Sequence, residues 1–185
     1  MRTVTTTVYK FEELTETAKQ KAVEKMYDLN VDYDWWSSTY DDAENVGLKI
    51  TSFGCDRRNI EIEFTGTPLD TYKEIFKDHG KETETYTLAL AYVRDRNTIS
   101  LEEVKRLCQA EADQLCECFD YVRGAYDVEQ DYFDESVTEG IDAEFLRDLG
   151  NEYLSMLSKE YDWLTSEGAI VESILANEYE FTAEG

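Results

Sequence analysis

Six carboxylates, Asp113, Glu117, Asp120, Asp127, Asp131 and Asp134, recur at three-, four- and seven-residue steps. That spacing places them on one face of a helix. From Glu111 to Glu144 there are 12 carboxylates and a single cation, Arg123. Rows of acids can work as general acids and bases, hold divalent cations, or meet the cations of a partner. The first two uses normally bring histidines with them, and His79 is the only histidine. It stands beside Gly80 at the expected end of a short helix, where a cationic ring favours the helix dipole. A structural role therefore outweighs general-base duty.

Other chemistry is poorly supported. No P-loop, dinucleotide-binding glycine run or nucleophile elbow occurs. Asp127 to Asp131 resembles the start of a calcium loop but has Tyr132 where the turn glycine belongs and Thr138 in place of the closing glutamate. Cys116-Glu117-Cys118 has no second pair nearby to complete a zinc site. With Cys108 these cysteines fall in one expected helix, where disulfide geometry is hard to reach; they and Cys55 read as small thiols in a reducing compartment. The sequence thus implies no cofactor, no metal and no catalytic residue.

The third use remains. Like charges one turn apart cost a helix a few tenths of a kcal/mol per pair, about 1–3 kcal/mol for the whole ridge. Few lysines relieve it, so a binding role is expected to maintain it. Two to three carboxylates per heptad give one charge every ~4–5 Å of helix, close to the ~3.4 Å phosphate spacing of one nucleic-acid strand. Asp113, Glu117, Asp120, Asp127, Asp131, Asp134 and Glu135, with Tyr121 and Tyr132 interleaved, are the expected partner-binding residues. They suit a nucleic-acid mimic seated in a basic protein groove. A plain acidic surface docking on a basic partner by shape is the alternative, and a solvated acidic face is the third reading.

The helix that would carry the ridge runs from Ser100 to Val137. Ser100 and Glu103 form a capping box. Leu101, Val104, Cys108, Leu115, Phe119, Val122, Tyr126, Phe133 and Val137 make its apolar stripe. That seam would also serve self-association as a homodimer. Gly140-Ile141-Asp142 predicts a turn and a new helix start, followed by Phe145, Leu149, Tyr153, Met156, Leu157 and Leu164 as an inner face. Ahead of the ridge, Thr3 to Phe11 reads as a strand, and Thr15 caps a helix through Asn30. Val31 to Val46, with Trp35 and Trp36, reads as a helix closed by Gly47. Of two adjacent tryptophans one is expected in the core and the other at an edge. Leu48–Cys55 and Asn59–Thr65 predict a hairpin. A helix follows from Pro68 to Gly80; Thr83 to Arg94 is open between helix and strand, the helical pattern from Ser100 onward favouring helix, and Thr165 or Ser166 caps a last helix before a strand over Asn177–Thr182.

The fold class expected is α+β: a small antiparallel sheet of 3–4 strands packed with helices, plus a long acidic helical hairpin. A single domain over 1–185 is expected, with 1–80 and 165–185 as its core and about 81–164 as the acidic insertion. At 42% hydrophobic, with 13 Tyr, 8 Phe and 3 Trp, the chain has material for a packed core. Net charge is −24; residues 111–185 hold 21 acids and 3 bases, whereas residues 1–110 hold 21 acids and 15 bases. Such a surface repels a free duplex or an anionic membrane and attracts a basic protein. With no apolar run long enough to span a bilayer and no leader-like opening, a cytoplasmic location is expected.

Three segments together resemble a known family. They are Tyr9 to Leu14 with Ala18 to Ala22, Asp32 to Trp36 with Gly47 to Phe53, and Leu164 to Ser166 with Ala176 to Thr182. They are similar to small acidic proteins of phages and prophages, some of which carry an antitoxin-like label. The resemblance covers about a third of the chain and implies a phage setting, with the host cytoplasm as the site of action. In that setting acidic non-enzymatic proteins disable host nucleases, restriction systems or CRISPR complexes. The implied function is an inhibitor of the anti-restriction or anti-CRISPR type.

Overall fold

The computed structural model describes residues 6–96 and 135–185. Among these, six α-helices and two antiparallel two-stranded sheets make an α+β fold that divides into two compact units. One unit takes residues 6–39 and 155–185, the other residues 40–96 and 135–154. Helices α2 (Ser37–Asn45) and α5 (Glu135–Leu164) each carry the chain across a unit boundary.

In the first unit, β1 (Tyr9–Lys10) pairs with β4 (Glu180–Phe181), Tyr9 opposite Phe181. A 3-10 turn over Phe11–Glu13 follows at once, its Glu13 carboxylate accepting from the Lys10 amide at 2.8 Å. That closure ends the strand after two residues. Helix α1 (Glu16–Lys25) starts at Thr15, whose hydroxyl accepts from the Ala18 amide; α6 (Glu167–Ala176) starts at Ser166 in the same way. Both caps satisfy amides that have no partner within the helix. The two helices share a core of Phe11, Leu14, Ala18, Ala22, Ile170 and Ile174. The small side chains of Ala18 and Ala22 give α6 room to approach α1.

In the second unit, β2 (Leu48–Gly54) and β3 (Asn59–Phe64) form a hairpin, with a bulge between the Ile50 and Ser52 pairs. Gly47, at φ 82°, turns the chain out of α2, a conformation that favours glycine. Helix α3 (Pro68–Asp78) has Thr67 as its cap and proline in its first turn; α4 (Glu84–Asp95) is capped by Thr83. Tyr72 meets Tyr92 at a tilt of 46°, and Tyr92 stacks on Phe145 with ring centres 4.2 Å apart. Gly150 of α5 meets the hairpin, and a Cβ there would sit 3.0 Å from Ile62 Cγ2. A side chain there would have to push the Ile62 methyl aside by a few tenths of an ångström.

Several expectations need correction. The sheet of 3–4 strands is instead two separate pairs, because β1 and β4 stop after two residues each. Helix α1 ends at Lys25 rather than Asn30: the Met26 amide is shared by the Ala22 and Val23 carbonyls, and separate turns follow. Residues 31–36 are not helical. The Trp35 amide bonds Tyr33 O at 2.7 Å and the Ser37 amide bonds Asp34 O at 3.2 Å, so α2 begins only at Ser37. No turn occurs at Gly140, and Asp142 is no cap; α5 runs through both. A glycine costs a helix only about 1 kcal/mol, less than the burial of Phe145 and Leu149 supplies. The final strand is confined to Glu180–Phe181, since Glu178 adopts φ 53°.

Candidate partner-binding surface

Of the sequence-expected binding residues, Asp113, Glu117, Asp120, Tyr121, Asp127, Asp131, Tyr132 and Asp134 lie outside the described residues, as does the helix expected over Ser100–Val137 up to its last three positions. Glu135 is the first residue of α5.

The described residues hold two polar clusters and one exposed aromatic rim. The first cluster, in the second unit, centres on His79. The histidine closes α3, its amide bonding Ile75 O, so the helix-end position expected from the sequence is where it stands. Its ring is 91% buried by the hairpin-side helices, and Nδ1 lies 2.6 Å from Thr85 Oγ1. Thr85 donates onward to Thr83 Oγ1 at 3.1 Å, and Thr83 donates to Gly80 O at 2.8 Å. A chain of polar contacts results, with His79 Nδ1 at its head. On the other side, Nε2 faces Asp42 Oδ1 at 3.4 Å, too poorly aligned for a hydrogen bond.

Asp42 also accepts from the Tyr153 hydroxyl at 2.9 Å. The His79 ring holds the Asp42 carboxyl below the ordinary aspartate range against the opposing effect of burial, and Tyr153 adds to the lowering. Burial pushes the Tyr153 hydroxyl far above its usual value, and the Asp42 charge pushes it further. Thr85 is itself buried, with its proton committed to Thr83. No substrate atom can reach it as a nucleophile, so the cluster acts as a joint that ties α2, α3, α4 and α5 together.

The second cluster joins α4 to α5. Asp142 accepts from the Tyr92 hydroxyl at 2.8 Å and from Arg96 through both oxygens at 2.9 Å. A bidentate guanidinium–carboxylate pair is among the stronger charged contacts. Burial, followed by the bond to Asp142, raises the Tyr92 hydroxyl to about 12. An open groove of about 460 Å³ lies beside α5 and the hairpin. Arg147, on its wall, is already paired with Glu144 and Asp148.

The rim belongs to the first unit. Asn30 donates its side-chain amide to Leu164 O at 3.0 Å, and Trp35 packs on Tyr161 with ring centres 5.8 Å apart. These contacts lay the turns of residues 26–36 along the last turns of α5. Trp35 is buried and Trp36 half-buried, the division expected for the pair. On the same segments, Tyr33 is 60% and Trp163 63% exposed, the most exposed large hydrophobic side chains among the described residues. Asp28, Asp32, Asp34 and Asp162 are exposed on the same two segments. No lysine or arginine lies between Lys25 and Lys49, and none follows Lys159. The ion pairs of this unit lie elsewhere, at Lys10 with Glu178 and Glu180 and at Lys19 with Glu16. Sequence reading missed this rim; its only local signal was the set of aspartates around the aromatic pair.

Among the described residues no three His, Cys, Asp or Glu side chains gather to hold a metal, and no helix is long and apolar enough to cross a membrane. No family model, curated protein or solved structure matches the chain.

Proposed function

We propose that this protein is a non-enzymatic acidic binder of a basic, nucleic-acid-handling protein. The phage setting implied by the terminal motifs makes the target a host nuclease or another defence complex in the cytoplasm, blocked in the manner of anti-restriction or anti-CRISPR proteins. The observation that carries this reading is the charge distribution: net −24, with only 3 bases among the last 75 residues against 21 acids. The face presented to the partner is the ridge of Asp113, Glu117, Asp120, Asp127, Asp131, Asp134 and Glu135, with Tyr121 and Tyr132. Its spacing lets lysines and arginines that normally track phosphates bind carboxylates instead, releasing counterions from both surfaces.

The exposed Tyr33 and Trp163 favour a second reading, an antitoxin-like or regulatory protein that docks on its basic partner by shape. Aromatic side chains supply most of the energy in such shape-matched interfaces.

Reversing Asp120, Asp127 and Asp131 to lysine separates these readings. A nucleic-acid mimic loses its partner in the triple variant, competes with duplex DNA for the partner's site, and weakens steeply with salt. A shape-matched protein tolerates salt and leaves DNA binding untouched. Undiminished capture by the triple variant overturns the ridge assignment.

A further inference from the structure

Strand β3 has a free edge. Among the described residues it pairs with β2 alone, and no proline, lysine or bulge interrupts it from Asn59 to Phe64. Strand β2, by contrast, is broken by the bulge after Ile50. An unbroken edge offers its amides and carbonyls to any extended chain. The groove beside it is lined by four consecutive residues of β3, Ile60, Glu61, Ile62 and Glu63. Side chains alternate between the two faces of a strand, so an opening lined by all four runs along the edge. Its other wall is α5, which seats Gly150 against Ile60 and Ile62 and leaves Leu146 half-buried and Ala143 exposed.

We infer that the free edge of β3 captures an extended segment of the partner protein in which lysines or arginines alternate with aliphatic residues. A strand added there continues the alternation of β3: every second side chain falls on the Ile60 and Ile62 side, toward Leu146 and Ala143, and the others fall beside Glu61 and Glu63. Glu61 makes no ion pair among the described residues, and Glu63 makes only an exposed one with Lys49. Arg147, on the helix wall, is held by Glu144 and Asp148. A second copy of the chain, paired antiparallel through the same edge, sets glutamates against glutamates, and like charges directly opposite destabilise a ladder. An acidic strand meets the same repulsion, and a wholly apolar one covers both carboxylates without a partner. The basic alternating strand satisfies backbone, groove and carboxylates together. The inference rests on the basic-partner reading and adds to it a contact directed by the backbone, on residues distant in sequence from the ridge.

The test is calorimetric titration of the full chain at about 0.15 M salt with a heptapeptide alternating lysine and valine, and with the same peptide N-methylated at every second amide. Attraction by charge alone treats the two alike, whereas pairing at an edge needs the free amides. The wild type should bind the unmethylated peptide about tenfold more tightly, and hydrogen exchange at the Ile60 and Ile62 amides should slow when it binds. Glu61→Lys with Glu63→Lys, both at exposed positions, should transfer the methylation-sensitive binding to a peptide alternating glutamate and valine. Asp120→Asn, Asp127→Asn and Asp131→Asn together should weaken both lysine peptides alike and leave their ratio intact, even where the ridge reading of function fails. Equal binding of the two lysine peptides by the wild type overturns the inference. So does unchanged exchange at Ile60 and Ile62 in the saturated complex.

Discussion

The two units handle the same side-chain chemistry in opposite ways. In the unit built on the hairpin, aromatic hydroxyls and charges satisfy one another: Tyr153 bonds Asp42, and Asp142 gathers Tyr92 and Arg96. In the unit built on α1 and α6, Tyr27, Tyr33 and Trp163 face outward, as do Asp28, Asp32, Asp34 and Asp162. Every large hydrophobic side chain found exposed among the described residues, from Val8 to Tyr179, belongs to that second kind of surface. The contrast separates groups that hold the fold from groups left in solvent. Composition cannot make that separation, since both units are rich in tyrosine and acid.

The contrast breaks first at Asp142. Asp142→Ala removes the acceptor for a tyrosine and an arginine at once and should cost about 2–4 kcal/mol, read as a lower urea midpoint. A smaller effect tests Asp42. Its carboxyl titrates below the ordinary value of 3.8 because His79 and Tyr153 favour the charged form. The stability it supplies is full above that value and disappears as pH falls through the lower, folded one. Asp42→Asn should therefore flatten the acid limb of a stability–pH curve. With 41% of the Asp42 side chain in solvent the difference should stay below about 1 kcal/mol. The smallest effect sharpens the other side of the comparison. Tyr33→Ser and Trp163→Ser should each shift stability by no more than about 0.5 kcal/mol; a larger drop in midpoint would make these rings structural.

What could be read from the sequence was mostly local. Thr15 and Ser166 cap helices because a hydroxyl meets an amide three residues on, and the Thr67-Pro68 start and the Gly47 exit are equally short-range. The alternation of Ile60, Ile62 and Phe64 with two glutamates gave the hairpin away. Residues 31–36 misled because their aromatics have helical spacing, whereas the Tyr33 and Asp34 carbonyls are taken by turn amides. Gly140 misled in the reverse sense, a helix-breaking signal overruled by packing further along α5. The His79 joint draws on positions 42, 79, 85 and 153. No window of neighbouring residues contains it, because tertiary contact creates it.

The hydroxyl chain that begins at His79 has a practical consequence. A protein with one imidazole yields one histidine signal in a nuclear magnetic resonance spectrum, free of overlap. Because Thr85 holds one ring nitrogen and Asp42 faces the other, a change in the packing of α3 on α4 should shift that signal. That resonance is a built-in gauge of the hairpin unit.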